Sequence, residues 1–502
     1  MGAVAATQGQ RSDRIVSRNP ATGQVLGEVP EQSAEEVRAA VLRARSAQAR
    51  WGELSVRERA RRLLGFRDLV LKRADELCEA ILRETGKTRS EALAMEVMVV
   101  ADLTTYFAKR AHKILAPEPI SLHLLKNRAS YIHYAPRGVV GIIAPWNFPF
   151  SIPMGETVMA LLAGNGVVLK PSEMAPLIAL KAKEIYDTAG LPVDLFQVVT
   201  GRGATGAALI ESGIDHCVFT GSTATGKKIA AACGERLLPC TLELGGKAPA
   251  IVCADADIDR TAKALVWGAF ANSGQACVSV ERVYAQESVY EELTEKIVHL
   301  VGQLRQGDPA RSEVDVGAMT WDRQIEIVEE RLTQALSTGA RLLCGGRRAD
   351  IGGGLFFAPT VLGDCRQEMD VMRKEIFGPV MPIMRIRDEE EGVRLANDSH
   401  LGLMAYVFTK DVQKGKRIAE RIASGTVMVN DCLLTFGAPE TPWGGVKQSG
   451  LGRTHAAQGL RDLCELRHVN YDRLALRREL WWYPYSEKLY RRLLRTLPWL
   501  FR

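Results

Sequence analysis

The sequence predicts an α/β protein built on two open, mostly parallel sheets, with a small β element besides. Three observations predict it. Short apolar runs alternate with helical stretches from residue 139 to 244, a second alternation begins at Pro249, and residues 118–136 shift to a mixed polar and β-branched composition. Strands that alternate with crossover helices of about 10–15 residues form parallel βαβ units covered by helices on both faces.

Composition bounds the class. At 502 residues, 46% hydrophobic and 25% charged, the chain can bury a large core divided into two or three domains. No window approaches eighteen uninterrupted apolar residues, and Met1-Gly-Ala-Val-Ala-Ala-Thr-Gln lacks a basic segment followed by an apolar one, so a cytoplasmic location is expected. Ten cysteines are scattered without a C-x-x-C pair or a zinc-like His spacing; no metal site and no disulfide framework is expected. Residues 473–502 hold eight Lys or Arg against two Asp or Glu, which accounts for the whole formal charge of +6. The preceding 472 residues are neutral overall, so nucleic-acid binding is not expected.

In order along the chain, residues 13–30 read as short strands around Asn-Pro and Thr-Gly turns, and Ser33 reads as the cap of a first helix. Amphipathic spacing through 56–112 predicts further helices. Residues 118–136 read as a projecting hairpin. Strand-like runs follow at 139–144, 167–169, 195–199, 217–219 and 241–244. In the second unit, strands are expected at 251–253, 280–285, 342–344, 358–361, 380–384, 403–408 and 426–430, with helices at 257–270, 322–338 and 411–423. Ser486 can cap a last helix in which Leu489, Tyr490, Leu493, Leu494 and Leu497 recur at helical spacing among Lys488, Arg491, Arg492 and Arg495. Preceded by Leu480-Trp-Trp-Tyr-Pro-Tyr-Ser486, that helix reads either as an interfacial membrane anchor or as a segment packed on a neighbouring subunit or the substrate mouth.

The chemistry concentrates in three stretches. Asn272-Ser273-Gly274-Gln275-Ala276-Cys277 delivers one thiol on a polar loop between a helix and a strand. Gly141-Ile-Ile-Ala-Pro-Trp-Asn-Phe-Pro-Phe150 supplies a tight aromatic turn carrying Asn147, and Leu242-Glu-Leu-Gly-Gly-Lys247 ends a strand in Glu243 beside two glycines that leave it room to swing. Thiol, amide and carboxylate are the set that nucleophilic attack on a carbonyl requires. Two glycine-rich turns compete for a cofactor phosphate: Gly201-Arg-Gly203-Ala-Thr-Gly206, and Phe219-Thr-Gly221-Ser222-Thr-Ala-Thr-Gly226, where Ser222 can cap a helix. Lys170 and Glu173 end another strand; a carboxylate there accepts from a ribose hydroxyl and repels a 2′-phosphate, favouring NAD over NADP.

These residues carry a resemblance to the NAD(P)-dependent aldehyde dehydrogenase superfamily. Pro145-Trp146-Asn147-Phe148-Pro, Lys170-Pro-Ser-Glu173, Phe219-Thr-Gly221-Ser222, Glu243-Leu-Gly-Gly-Lys, Gly274-Gln-Ala-Cys277, Glu375-Ile-Phe377-Gly-Pro, Pro442-Trp-Gly-Gly and Ser449-Gly stand in family order over residues 14–472. The resemblance implies Cys277 as nucleophile, Asn147 with the Cys277 N–H as oxyanion donors, and Glu243 as the base for thioester hydrolysis. It implies cofactor contacts at Trp146, Lys170, Glu173, Gly221, Ser222, Glu375 and Phe377, with Gly203 near the adenine end, and Lys247 as support. Phe148, Gly155 and Glu156 are candidates for the substrate funnel. The organisation implied is a Rossmann-like, doubly wound NAD-binding domain (1–117 and 137–246), a catalytic α/β domain (247–448), oligomerisation segments (118–136 and 449–472) of a homodimer or homotetramer, and an aromatic, basic extension (473–502). The expected reaction is NAD-dependent oxidation of a medium- or long-chain aliphatic or aromatic aldehyde. Succinic semialdehyde oxidation is the alternative, and a catalytically silent binding protein or an acyl-transferring coenzyme A enzyme are the readings from other classes.

Overall fold

The computed structural model describes residues 14–311 and 313–501. The first strands, Arg14–Arg18 and Val25–Pro30, pair antiparallel. Helix Ala34–Glu53 starts where the sequence places its cap. The Ser33 hydroxyl accepts from the Glu36 N–H at 3.3 Å, and the Glu36 carboxylate accepts from the Ser33 N–H at 2.7 Å, which satisfies two otherwise orphaned donors. Its buried residues Val37, Ala40, Val41 and Ala44 form one helical stripe against the first large sheet.

That sheet has six strands in the order Gly450–Leu451, Cys240–Glu243, His216–Thr220, Val139–Ile143, Gly166–Lys170, Phe196–Val198. The five longer strands run parallel and Gly450–Leu451 closes one edge antiparallel. From Val139–Ile143 the chain winds outward to Phe196–Val198, then returns to the other side of its starting strand. The reversal falls between the carboxyl ends of Val139–Ile143 and His216–Thr220. A doubly wound sheet opens its ligand crevice at that point, because the flanking crossover helices diverge to opposite faces.

The second sheet has seven strands in the order Arg341–Cys344, Thr360–Gly363, Val380–Ile386, Val280–Gln286, Ala248–Val252, Met404–Phe408, Thr426–Val429, all parallel except the first. Its central strands are buried on both faces. Ala248–Val252 and Met404–Phe408 are accordingly apolar almost throughout, while Val280–Gln286 carries buried Glu281, paired with Lys247, and buried Arg282, which donates to the Lys247, Leu395 and Ala396 carbonyls. The predicted hairpin is present as Glu118–Ile120 against Arg128–Pro136, and Cys464–Asp472 completes a three-stranded sheet.

The chain divides into a large body, residues 14–115 with 135–465, and a small one, 116–134 with 466–501. Both large sheets belong to the former. Gly450–Leu451, expected within an oligomerisation segment beginning at 449, instead extends the first sheet beside Glu243. Among the described residues no helix is long and apolar enough to cross a membrane.

Candidate active site

Helix Ile258–Phe270, capped by Asp257, runs into a single turn, Ala271–Gly274. There Asn272, Ser273 and Gly274 take positive φ of 52°, 55° and 71° in succession. Left-handed backbone costs about 1–3 kcal/mol at such a non-glycine position and persists only where its surroundings over-determine it. They do. The Asn272 N–H donates to the Glu91 carboxylate at 2.6 Å, its side-chain amide donates to the carbonyls of Asn147 and Gln275 at 3.1 Å each, and the Ser273 hydroxyl donates to the Gly317 carbonyl at 3.0 Å. Gly274 has no substitute, since a Cβ would lie 2.2 Å from the Gly378 carbonyl oxygen. The chain leaves this turn toward strand Val280–Gln286 and presents Cys277 half-buried on the way.

The turn carrying Asn147 follows strand Val139–Ile143 and is fixed from below by a buried ion pair. Lys87 Nζ and Glu96 Oε1 lie 2.7 Å apart with both side chains fully shielded from solvent. Lys87 also donates to the Asn147 carbonyl at 2.8 Å and sits 4.0 Å from the Phe148 ring centroid. The other Glu96 oxygen accepts from the N–H groups of Phe150 and Ser151, orphan donors at the start of helix Ser151–Ala163. Asn147 Nδ2 donates to the Gln275 carbonyl at 2.9 Å, so one amide hydrogen orients the group and a second remains for a ligand.

Glu243 ends strand Cys240–Glu243 and pairs with Thr220 on one side and Gly450 on the other. The two glycines that follow permit close packing. A Cβ on Gly246 would lie 2.0 Å from the Cys277 carbonyl oxygen, and one on Gly245 would lie 2.8 Å from the Glu375 carboxylate. They let the strand end lie directly against the cysteine loop and the Glu375 turn. That turn is held in its own way: buried Lys247 pairs with Glu281 at 2.8 Å, and Glu281 accepts from the N–H groups of Ile376 and Phe377.

Several cofactor candidates gather around the crevice. Ser222 caps helix Thr223–Glu235 and leaves its exposed N-terminus open to an anion. Lys170 Nζ lies 3.4 Å from Glu173 at the end of the next strand. Trp146 and Phe377 meet edge to face with centroids 5.4 Å apart, and Glu375 accepts from the Gly246 N–H at 2.9 Å. A helix N-terminus for phosphates and carboxylates for ribose hydroxyls fit a dinucleotide. Gly221 lies directly before the Ser222 cap, where a Cβ would strike the Phe219 ring at 2.5 Å. Gly203 opens helix Gly203–Glu211, in which a Cβ on Gly206 would lie 4.0 Å from the Lys170 side chain. It follows the edge strand Phe196–Val198, and its turn is taken up by residues 30–32, with Thr200 bonded to Pro30 and Gln32 and Arg202 to Glu31.

Cys277, Glu243 and Asn272 line one cavity of about 300 Å³. Its walls are apolar, built mainly from Met95, Val99, Phe148, Ile152, Trp267 and Phe436. Glu91, Glu156 and Glu243 also border it, and among the described residues no Lys or Arg does. Gly155, expected beside this funnel, does not line it: its open side packs on Leu103 of helix Met98–Ile114 at 3.3 Å.

Burial dominates the electrostatics. It pushes the Glu156 carboxyl up to about 8. Burial, reinforced by Glu156 and opposed by Arg453, holds Glu243 well above the usual carboxylate range, and neither Glu243 oxygen has a hydrogen-bond partner among the described residues. Burial first, then the charges of Glu375 and Glu243, pushes the Cys277 thiol up to about 12, against the pull of the Cys277 and Val278 N–H groups. Lys87, Glu91 and Glu96 were not singled out from the sequence. Only Glu91 left a signal there, as the last residue of a Thr88-Arg-Ser-Glu91 capping box.

The aldehyde dehydrogenase family model matches residues 7–469. A 4,4'-diapolycopene aldehyde oxidase of Methylomonas sp is 39% identical over 478 residues, covering 95% of this chain and 89% of that protein. A Mycolicibacterium smegmatis protein with a provisional succinate-semialdehyde dehydrogenase (NADP(+)) name is 40% identical over 456 residues, covering 90% and 88%. The crystal structure of a Mycobacterium tuberculosis aldehyde dehydrogenase complexed with NAD+ superposes with a TM-score of 0.88 at 35% identity, covering 92% of this chain and 95% of that one.

Two outcomes follow from this geometry. Glu96→Gln leaves the Lys87 ammonium buried without its counter-charge and lowers stability by about 3–5 kcal/mol; in thermal melts, the Lys87→Met/Glu96→Gln double variant unfolds above Glu96→Gln alone. A double variant melting lower would remove the pair from the account. With a thiol pKa raised to about 12, the thiolate fraction in the ligand-free enzyme climbs throughout the accessible range. Iodoacetamide labelling of Cys277 therefore accelerates about tenfold per pH unit from 7 to 10, and a plateau below pH 9 contradicts the assignment.

Proposed function

Because the chain belongs to the aldehyde dehydrogenase family, and is therefore an NAD(P)-dependent oxidoreductase acting on aldehydes, we propose that its substrate is an uncharged, apolar medium- or long-chain aliphatic or aromatic aldehyde. One observation carries this choice: the cavity holding Cys277 is walled by apolar side chains and three glutamates, without a cation among its described lining residues. A substrate bearing a second carboxylate would enter with no counter-charge, at a desolvation cost that an alkyl or aryl chain avoids. The name of the Methylomonas relative, a 4,4'-diapolycopene aldehyde oxidase, supports the reading. The succinate-semialdehyde name of the mycobacterial relative supports the alternative.

In the proposed reaction the Cys277 sulfur, as thiolate, bonds to the aldehyde carbon while the carbonyl electrons move to oxygen. The free amide hydrogen of Asn147 and the Cys277 N–H stabilise that oxyanion. When bound, NAD(P)+ supplies the hydride acceptor, held by Ser222, Lys170, Glu173, Glu375, Trp146 and Phe377. The carbon is left as a thioester of Cys277. Glu243, unpartnered and free to approach a water, takes its proton as the oxygen attacks the thioester carbon; the C–S bond breaks, giving the carboxylic acid and restoring the thiolate. Water as acyl acceptor distinguishes this from transfer to coenzyme A. NAD is proposed in preference to NADP, because the Glu173 carboxylate repels a 2′-phosphate.

A homodimer or homotetramer is proposed on the three-stranded sheet. Its nine-residue edge strand Cys464–Asp472 is largely exposed, and a long open edge is a template for pairing with a second copy.

Steady-state kinetics with decanal, benzaldehyde and succinic semialdehyde test the substrate. Expected is a kcat/KM for decanal at least about a hundredfold above that for succinic semialdehyde; equal values, or the reverse order, would favour the alternative.

A further inference from the structure

We propose that the arm formed by residues 473–501 docks on an anionic lipid surface, with helix Glu487–Leu500 lying in the headgroup interface. The inference stands apart from the choice of substrate.

The helix divides into two faces. At about 100° per residue, Leu489, Leu493, Leu497 and Leu500 lie in one row flanked by Tyr490 and Leu494. Lys488, Arg491, Arg492 and Arg495 fall together on the opposite side. No residue of the helix is buried; Leu494 is 54% and Leu497 50% exposed. An isolated helix of this length is marginal in water, so its apolar face calls for a partner. At 14 residues it cannot span a bilayer, which needs about 20 apolar residues, but it suits an interfacial site.

The residues before it fit the same site. Trp481, Trp482, Tyr483 and Tyr485 are exposed, as is Trp499 within the helix, and rings with an apolar body and a polar tip favour headgroup depth. The arm's root is firmly held. Buried Glu479 accepts from Arg128 at 3.2 Å and Asn127 at 3.3 Å, the Arg473 N–H donates to the Asn127 carbonyl at 3.0 Å, and the Arg128 guanidinium lies 5.8 Å from the Trp481 ring centroid. The helix is therefore offered from a fixed base.

Charge selects the partner. Residues 473–502 carry the whole formal net charge of +6, and an anionic bilayer is its complement. A second copy meeting the apolar face would leave both basic rows pointing outward with no counter-charge, whereas an anionic bilayer answers both faces at once.

Flotation of the full-length enzyme with vesicles of phosphatidylcholine and phosphatidylglycerol, against phosphatidylcholine alone, tests the proposal. The enzyme floats with the anionic vesicles, and the Arg491→Gln/Arg492→Gln/Arg495→Gln variant partitions about a hundredfold more weakly at low salt. Leu493→Glu/Leu497→Glu does not float, while its melting temperature and light-scattering mass match the wild type. Failure of the wild type to float overturns the proposal, as does undiminished flotation of the Leu493→Glu/Leu497→Glu variant. A fall in that variant's solution mass also overturns it, since the apolar face would then belong to a second copy.

Discussion

Lys87 and Glu96 form a salt bridge shielded from water, and the reactive geometry hangs from it. Removing two charges from solvent is costly, and the mutual attraction repays that cost only when the remaining donors and acceptors are also satisfied. Here they are met by the Asn147 carbonyl and by the N–H groups of Phe150 and Ser151. The pair thereby fixes the turn between a sheet strand and helix Ser151–Ala163. That turn carries Asn147, whose amide grips the Gln275 carbonyl two residues before Cys277. One buried ammonium thus sets the position of the amide relative to the thiol.

Around this frame, close backbone approach does the rest. Gly246 lies against the Cys277 carbonyl and Gly274 against Gly378, so the strand end bearing Glu243, the cysteine loop and the Glu375–Phe377 turn form one packed unit. The cavity they enclose is apolar and acidic. Burial raises Glu156 to about 8, so this carboxyl is mainly neutral near pH 7, and Glu243 is held high as well. A carboxyl with a raised pKa and no competing hydrogen bond is suited to exchange a proton with water.

Much of this was legible in the sequence because it is local. Most of the parallel strands are short apolar runs, the caps at Ser33, Ser222 and Ser486 are single polar residues ahead of their helices, and Cys277, Glu243 and Asn147 stand in turns of unusual composition. The remainder depends on contacts between residues far apart in the chain. Lys87 meets Asn147 across 60 residues and Asn272 meets Glu91 across 181, distances at which no periodicity survives. Gly155 read as a funnel residue from its neighbours, yet a glycine in a helix buried on all sides gives no sign of which way its open side faces. The two glycine-rich turns cannot be ranked from their spelling, because strand order, which sequence does not display, sets Gly201–Gly206 after the edge strand and Gly221–Gly226 beside the crevice.

The central claim is that Cys277 carries the acyl group and Glu243 discharges it. Intact-protein mass spectrometry of the Glu243→Gln variant, quenched after mixing with NAD and decanal, tests it directly. The account predicts an accumulating decanoyl adduct on the peptide containing Cys277, absent from a Cys277→Ser control and short-lived in the wild type. An unmodified Cys277 in a variant that still produces NADH, or an acyl group on another side chain, would contradict it.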